Sequence, residues 1–326
     1  MQALRVEQLS DDLSGCALVD IPVPKPAADE VLVRVAAASI NFPDLLMTSG
    51  GYQSKPDVPF TCGLEMAGTV VEAADSSPFK PGDKVMGGAK TGAMAEYAAL
   101  PARSLRPMPV GLGFAQAAAL GAAYTTAYTS LVELGGLKKG QWVLVHGASG
   151  GVGLAAVDLA LALGAKVVAT SASEEKLKRI QKVYQLDVTI VAQGRFRESV
   201  ADITGGALAD IVLDPVGGDV FDESTRCVAF SGKLLVVGFA GGRIPEIAVN
   251  IPLIKGFSVV GVRAGEYSRR FPDRGKAISQ AVSDMAANGT ITPHIDRQLP
   301  LSRWREGFEA MASRQLVGKV VLLPGS

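Results

Sequence analysis

The chain has 326 residues, 48% of them hydrophobic and 20% charged, the composition of a soluble globular protein long enough for two domains. Lys plus Arg and Asp plus Glu number 32 each, so no net field draws it to nucleic acid or an anionic membrane. Cys16, Cys62 and Cys227 are an odd, widely spaced set, which excludes a disulfide framework and suits a reducing compartment. The N-terminal MQALRVEQLSDDL lacks the basic-then-apolar order of a secretory signal. No stretch reads as membrane-spanning, so a cytoplasmic protein is expected.

The first hundred residues read as short strands broken by Pro and Gly: EVLVRVAAASI, MAGTVVEAA, DKVMGG and AEYAAL. KPGDKV is a turn into a strand, with Pro81 and Gly82 setting its geometry. A β-rich domain is expected here. The texture then changes. GFAQAAALGAAYTTAYTSLVELG reads as a helix ending at Gly135-Gly136. Strands and helices alternate after it: QWVLVHG, GVGLAAVDLALALG, AKVVAT, and SEEKLKRIQKVYQL with Ser173 as N-cap. VTIVA, ADIVLD, KLLVVGF and GFSVVGV are further strands, with helical RFRESVADITG and DVFDESTRCVAF among them. Such alternation predicts a doubly wound parallel sheet whose strands are apolar on both faces. The tail, from KAISQAV onward, gives helix, strand, helix and a closing strand. It is expected to rejoin the β-rich domain. The predicted division is 1–120 with 265–326, and 121–264.

The motif richest in chemistry is LVHGASGGVGLAA, residues 144–156. A strand enters a glycine-rich turn and leaves it as a small-residue helix, with Gly147, Gly150 and Gly153 three apart. Dinucleotide binding needs a tight turn, close backbone approach to pyrophosphate, and close helix–strand packing. The helix N-terminus then presents free N–H groups to phosphate. Ala148 stands where the commoner fingerprint has its first glycine.

The end of the second strand discriminates between cofactors. NAD sites usually carry an acid there for the ribose hydroxyls. This chain has Thr170, Ser171, Ala172 and Ser173, with Lys176 within a turn. Small hydroxyls and a cation suit a 2′-phosphate, so NADPH is expected. Glu174 and Glu175 would oppose it only if they faced inward.

The stretches ADEVLVRV, INFPDLL, GLEMAGTVV, PGDKV, AAYTTAYTSL, VLVHGASGGVGLAA, DIVLDPVGGDVF, LLVVGFAGG and GKVVL span nearly the whole chain. Together they resemble the zinc-independent quinone oxidoreductase branch of the medium-chain dehydrogenase/reductase superfamily. The resemblance implies an α/β protein: a GroES-like β-rich catalytic domain and a Rossmann domain, with nicotinamide in a cleft and a homodimer joined near GFSVVGV. In zinc-containing relatives, Cys-x-x-Asp and Gly-His-Glu supply metal ligands. Here those positions read Asn41-Phe42-Pro43-Asp44 and Gly63-Leu64-Glu65, and a third, near Ala122, is not Cys either. A zinc site needs about four close donors, so no metal is expected. Cys62 then reads as a small buried hydrophobe.

The resemblance also implies site residues. Asn41 would hydrogen-bond the nicotinamide or the acceptor carbonyl, or else cap its turn. Tyr52 would contact cofactor or an oxyanion, or else be a half-buried loop aromatic. Thr126 would meet the carboxamide, and Gly150, Gly151 and Val152 the pyrophosphate. Ser171 and Lys176 would meet the 2′-phosphate. Gly238, Phe239, Ala240, Val262 and Arg263 would line the nicotinamide end. Relatives often carry Tyr or His near the end of the third strand; here it reads Thr189-Ile190-Val191-Ala192, leaving Arg195 or Arg197 as substitutes. The implied activity is NADPH-dependent reduction of a quinone or α,β-unsaturated carbonyl. The alternatives are an acryloyl- or enoyl-CoA reductase, with Arg263, Arg269 and Arg270 on CoA phosphates, and a non-catalytic NADPH-binding protein.

Overall fold

Short apolar runs punctuated by proline and glycine become strands, and the longer helix-forming runs become helices, in a computed structural model that describes residues 1–186 and 188–325. The chain forms two units, one of Met1–Gly121 with the stretch from Pro293 onward, the other of Ala122–Thr292.

Unit 1 starts with β1 (Gln2–Val6), β2 (Cys16–Asp20), β3 (Glu30–Ser39), α1 (Phe42–Thr48), β4 (Phe60–Thr61) and β5 (Glu65–Ala73). It continues with β6 (Lys84–Gly87), β7 (Tyr97–Pro101), β8 (Leu105–Pro107) and the start of α2 (Phe114–Tyr128). The KPGDKV turn forms as expected: Gly82 takes φ 97°, and Asp83 Oδ2 accepts from the Lys80 N–H at 2.8 Å. Antiparallel pairing joins β3 to β5 and to β7, and β5 to β6. Val31, Val33, Val35, Met66 and Val70 fill the core under this sheet.

Unit 2 holds β9 (Trp142–Val145), α3 (Gly151–Ala162), β10 (Lys166–Ser171), α4 (Glu174–Tyr184), β11 (Thr189–Val191) and α5 (Arg197–Ile203). It goes on through β12 (Ala209–Asp214), α6 (Gly218–Ser224), β13 (Val228–Val236), α7 (Asn250–Lys255), β14 (Ser258–Gly261), α8 (Ala264–Arg270) and α9 (Pro272–Ala287). The sheet order is β11-β10-β9-β12-β13-β14, with every neighbouring pair parallel. This is the doubly wound arrangement, whose strand order reverses beside β9. Asp158 of α3 ties both ends of the unit, accepting from the Tyr124 hydroxyl at 2.5 Å and the Thr292 N–H at 2.9 Å. The chain then re-enters unit 1 as β15 (Ile295–Pro300), α10 (Trp304–Ala312) and β16 (Lys319–Leu323), and β16 pairs with β3.

Three expectations need correction. The second division falls at 292/293, not 264/265. α8 and α9 stay with the parallel sheet because Tyr267 and Arg274 both reach Glu133, at 3.0 and 2.9 Å, and α9 buries Ile278 and Val282. The helix read over DVFDESTRCVAF stops at Ser224, and Val228 already pairs with Ala209 as β13. The long helix reaches Gly135 as expected, but its last turns, Thr129–Leu134, widen into a π-helix. Among the described residues no helix is long and apolar enough to cross a membrane.

Candidate functional site

Strand register gathers the polar residues of unit 1. Ser39 lies opposite Glu65 on one side and Val321 on the other. Two residues beyond Ser39, Asn41 is the N-cap of α1, with Pro43 in the first turn. Lys319, at the head of β16, therefore falls beside Asn41. Its ammonium donates to Asn41 Oδ1 at 2.6 Å, to Glu65 Oε1 at 3.2 Å and to the Ile40 carbonyl at 3.2 Å. Asn41 Nδ2 donates to Glu65 Oε1 at 3.0 Å and to the Ser39 carbonyl at 3.3 Å. An ammonium only donates and a carboxylate only accepts, so the amide has one orientation.

Both ends of the Asn41 side chain are thus committed inside the unit. Its backbone N–H donates to Asp44 Oδ2 at 2.8 Å, half of a capping box. The side-chain oxygen that a cap would use accepts from Lys319 instead. Burial pushes the Asp44 carboxyl up to about 7, with the Glu65 charge adding and the Asn41 N–H and Lys319 opposing. Asp44 Oδ1 has no hydrogen-bond partner among the described residues. Arg106 of β8 brings a second cation, whose pKa burial lowers and Glu65 supports. Its Nε and Nη2 are buried without hydrogen-bond partners among the described residues. Gly121 packs against this cluster: a Cβ there would stand 2.8 Å from Glu65 Oε2 and displace the carboxylate.

Cys62 is buried, and burial pushes its thiol well above the ordinary range. Tyr52 is half-buried in a loop and packs on the unit 1 core, without a hydrogen bond to the polar cluster among the described residues. Among the described residues no group of three or more His, Cys, Asp or Glu is arranged to hold a metal ion. The position beside Glu65 is already taken by the Lys319 ammonium.

Unit 2 shows why its glycines are needed. Gly147 takes φ 55°, in the left-handed region, as β9 turns. Gly153 lies so close to the turn that a Cβ would stand 2.2 Å from the Gly147 carbonyl oxygen. Gly150 is the N-cap of α3 and Gly151 and Val152 open the helix, whose first-turn N–H groups have no intrahelical acceptor. This cradle fits a pyrophosphate. Ser171 is buried at the end of β10, its hydroxyl accepting from the Ser173 N–H at 3.2 Å. Ser173 caps α4 by accepting from the Lys176 N–H at 3.3 Å. Glu174 turns to Lys178 at 2.9 Å on the exposed side.

Beside this end, Gln193 Nε2 donates to the Ala172 carbonyl at 3.0 Å, a neighbour that sequence reading missed. The Arg197 backbone N–H lies against Glu223 instead. Gly238, Phe239 and Ala240 follow β13, where the Ala240 N–H reaches the Pro215 carbonyl at 3.0 Å. Val262 and Arg263 follow β14, with the Val262 N–H on the Val236 carbonyl at 2.8 Å. The structure thus gathers these residues at the carboxyl ends of the parallel strands, where such sheets bind ligands. Thr126 lies on α2, its hydroxyl bonded to the Ala122 carbonyl at 2.7 Å. Arg269 and Arg270 both pair with Glu266, at 2.6 and 2.8 Å.

Known proteins share this arrangement. Residues 27–110 match the family described as alcohol dehydrogenase GroES-like domain, and 151–283 match the zinc-binding dehydrogenase family. A quinone oxidoreductase-like protein 2 homolog of Nematostella vectensis is 38% identical, covering 90% of this chain and 81% of that protein. The chain belongs to the quinone oxidoreductase branch of the medium-chain dehydrogenase/reductase superfamily. Human quinone oxidoreductase is 32% identical over 99% of this chain and 98% of its own length. Among solved structures, mycobacterial Rv1454c complexed with NADPH has TM-score 0.90 at 28% identity, covering 99% of this chain and 100% of that one. Escherichia coli quinone oxidoreductase complexed with NADPH has TM-score 0.88 at 26% identity, covering 99% and 100%. An NAD-dependent alcohol dehydrogenase has TM-score 0.87 at 28% identity, covering 99% of each chain. As a quinone oxidoreductase-branch chain, this protein is an oxidoreductase.

Proposed function

We propose that this oxidoreductase takes a hydride from NADPH and delivers it to a quinone or an α,β-unsaturated carbonyl, with no metal in the step. The observation that carries the cofactor choice is the end of β10. Ser171 and Ser173 provide hydroxyl groups there, Lys176 provides charge, and Glu174 is engaged by Lys178. Human quinone oxidoreductase, Escherichia coli quinone oxidoreductase seen with NADPH, and mycobacterial Rv1454c, also seen with NADPH, support the same reading. The bound cofactor supplies the hydride. The glycine cradle holds its pyrophosphate, and the residues after β13 and β14 line its nicotinamide end.

The polar cluster of unit 1 supports the acceptor class. Asn41, Glu65 and Lys319 hold one another, so no vacant ligand set awaits a Lewis acid. Quinones and enones need none, because the charge that arrives with the hydride spreads over their own conjugated oxygens. Positioning then supplies most of the acceleration, on the order of 7–11 kcal/mol at best. The paired Arg269 and Arg270 give no support to a CoA thioester.

The cofactor choice is tested by titrating NADPH and NADH by fluorescence in wild type and in Ser171→Asp. Wild type should prefer NADPH, and the new carboxylate should cut that preference by about tenfold or more, about 1.4 kcal/mol. Equal affinity of wild type for both dinucleotides would sink the NADPH assignment. The expected homodimer has support in the outer edge of β14, which pairs with no strand among the described residues. Phe230, Val249, Leu253 and Ile254 are exposed in the same unit. Light scattering should give twice the chain mass for wild type and less for Ile254→Asp. A monomeric wild type would remove the dimer.

A further inference from the structure

We propose that His146 is a positioning residue for the dinucleotide, its two ring nitrogens holding the glycine turn, the end of β10 and α6 in one geometry. The inference rests on the reading that unit 2 binds NADPH through that turn. His146 stands between β9 and Gly147 and is fully buried. Its Nδ1 lies 2.8 Å from Thr170 Oγ1 and its Nε2 2.7 Å from Ser224 Oγ. Phe196 packs on the ring, with centroids 5.3 Å apart.

With the single Ser224 hydroxyl hydrogen placed on the Val220 carbonyl rather than on the ring, the other proton directions follow from that placement. Ser224 has one hydroxyl hydrogen and donates it to the Val220 carbonyl at 2.6 Å. Toward the ring, Ser224 Oγ can then only accept, so Nε2 carries the hydrogen. Nδ1 is bare and accepts the hydroxyl hydrogen of Thr170. The chain of donors runs one way, from Thr170 through the imidazole to Ser224 and Val220. Burial pushes the ring pKa down to about 3, which keeps it in this neutral form.

Each partner lies next to a part of the proposed cofactor site. Thr170 precedes Ser171, and its carbonyl accepts from the Ala148 N–H of the glycine turn at 2.9 Å. The His146 backbone N–H reaches the Leu213 carbonyl of β12 at 3.0 Å. Ser224 ends α6, which starts at Gly217-Gly218 against Phe239. An apolar residue at 146 would leave the Thr170 hydroxyl donor unpaired in the core and release α6 from the two strands.

The test compares wild type, His146→Leu, Thr170→Val and His146→Gln. In the Leu and Val variants KM for NADPH should rise about tenfold, with kcat and the acceptor KM much less affected. Gln carries one donor and one acceptor on a side chain of similar reach, and it should restore most of the affinity. The chain has two histidines, so long-range proton–nitrogen spectra of wild type and His146→Gln assign the ring directly. They should show a neutral imidazole protonated at Nε2. Thr170→Val guards against a His146→Leu protein that fails to fold. Unchanged NADPH KM in folded Leu and Val variants, or a ring protonated at Nδ1, would overturn the role of His146 alone. A wild type that does not bind NADPH would overturn the functional reading and this role with it.

Discussion

Replacing Lys319 with Met is expected to destabilise unit 1 by about 3–5 kcal/mol, the cost of breaking one side of a buried ion pair. The side chains of Lys319 and Glu65 are only 7% and 8% exposed. Removing the ammonium takes its donor from Asn41 Oδ1 and the Ile40 carbonyl, and leaves the Glu65 carboxylate with the Asn41 amide but without the Lys319 charge. Arg106 still faces Glu65, which places the loss nearer the lower figure. A Glu65→Gln change on top should recover part of it, because the uncompensated charge is gone, and a double-mutant cycle reads the coupling. Each unit has one tryptophan, Trp304 in unit 1 and Trp142 in unit 2. Urea unfolding followed in a Trp142→Phe background therefore reports unit 1 alone. A loss below about 1 kcal/mol, the scale of an exposed pair, would contradict the buried tie.

The second large effect is a pair of opposite pH dependences. Asp44 has its folded pKa raised from 3.8 to about 7. The folded state keeps a proton that the unfolded chain gives up, so this stability is complete below pH 3.8. It is lost as pH rises towards 7, about 4 kcal/mol in all. His146 has its folded pKa lowered from 6.5 to about 3. Here the unfolded chain takes up the proton first, so stability is complete above pH 6.5. It is lost as pH falls towards 3, about 5 kcal/mol in all. Between about pH 4 and 6.5 each group contributes a slope of about 1.4 kcal/mol per pH unit, with opposite signs. Other buried carboxyls titrate as well, Asp158 and Asp214 among them, so differences between variants isolate each group. Wild type minus Asp44→Asn, read through Trp304, should fall as pH rises. Wild type minus His146→Gln, read through Trp142, should rise with pH. Differences that stay flat over this window would mean that neither group keeps its unusual protonation state in the folded chain.

Much of this was legible in the sequence because it is local. The glycine turn, the cap at Ser173 and the apolar strands are each set by residues a few positions apart. The replaced ligand positions at Asn41 and Leu64 came from the resemblance to zinc-containing relatives. The missing parts depend on partners distant in the chain. Lys319 is 278 residues from Asn41 and 254 from Glu65, and only the pairing of β16 with β3, and of β3 with β5, brings them together. Before that register is known, Lys319 in GKVVL reads as a surface lysine ahead of an apolar strand. The role of His146 depends on Ser224, 78 residues away, and nothing local to LVHGASGG points to it. The helix overrun at Thr225–Phe230 has a similar cause, since the strand begins where Val228 meets Ala209 of β12, a partner distant in the chain. The misplaced boundary reflects α8 and α9, which join unit 2 through the distant Glu133.

The most direct measurement follows NADPH absorbance on adding 1,2-naphthoquinone or an enone to protein that has been treated with a chelator and verified free of zinc. Hydride transfer to an acceptor that delocalises its own charge predicts that the stripped protein oxidises NADPH as fast as the untreated one, and that added zinc brings no gain. Turnover that disappears on stripping and returns with zinc, or no oxidation by either acceptor despite tight NADPH binding, would contradict it.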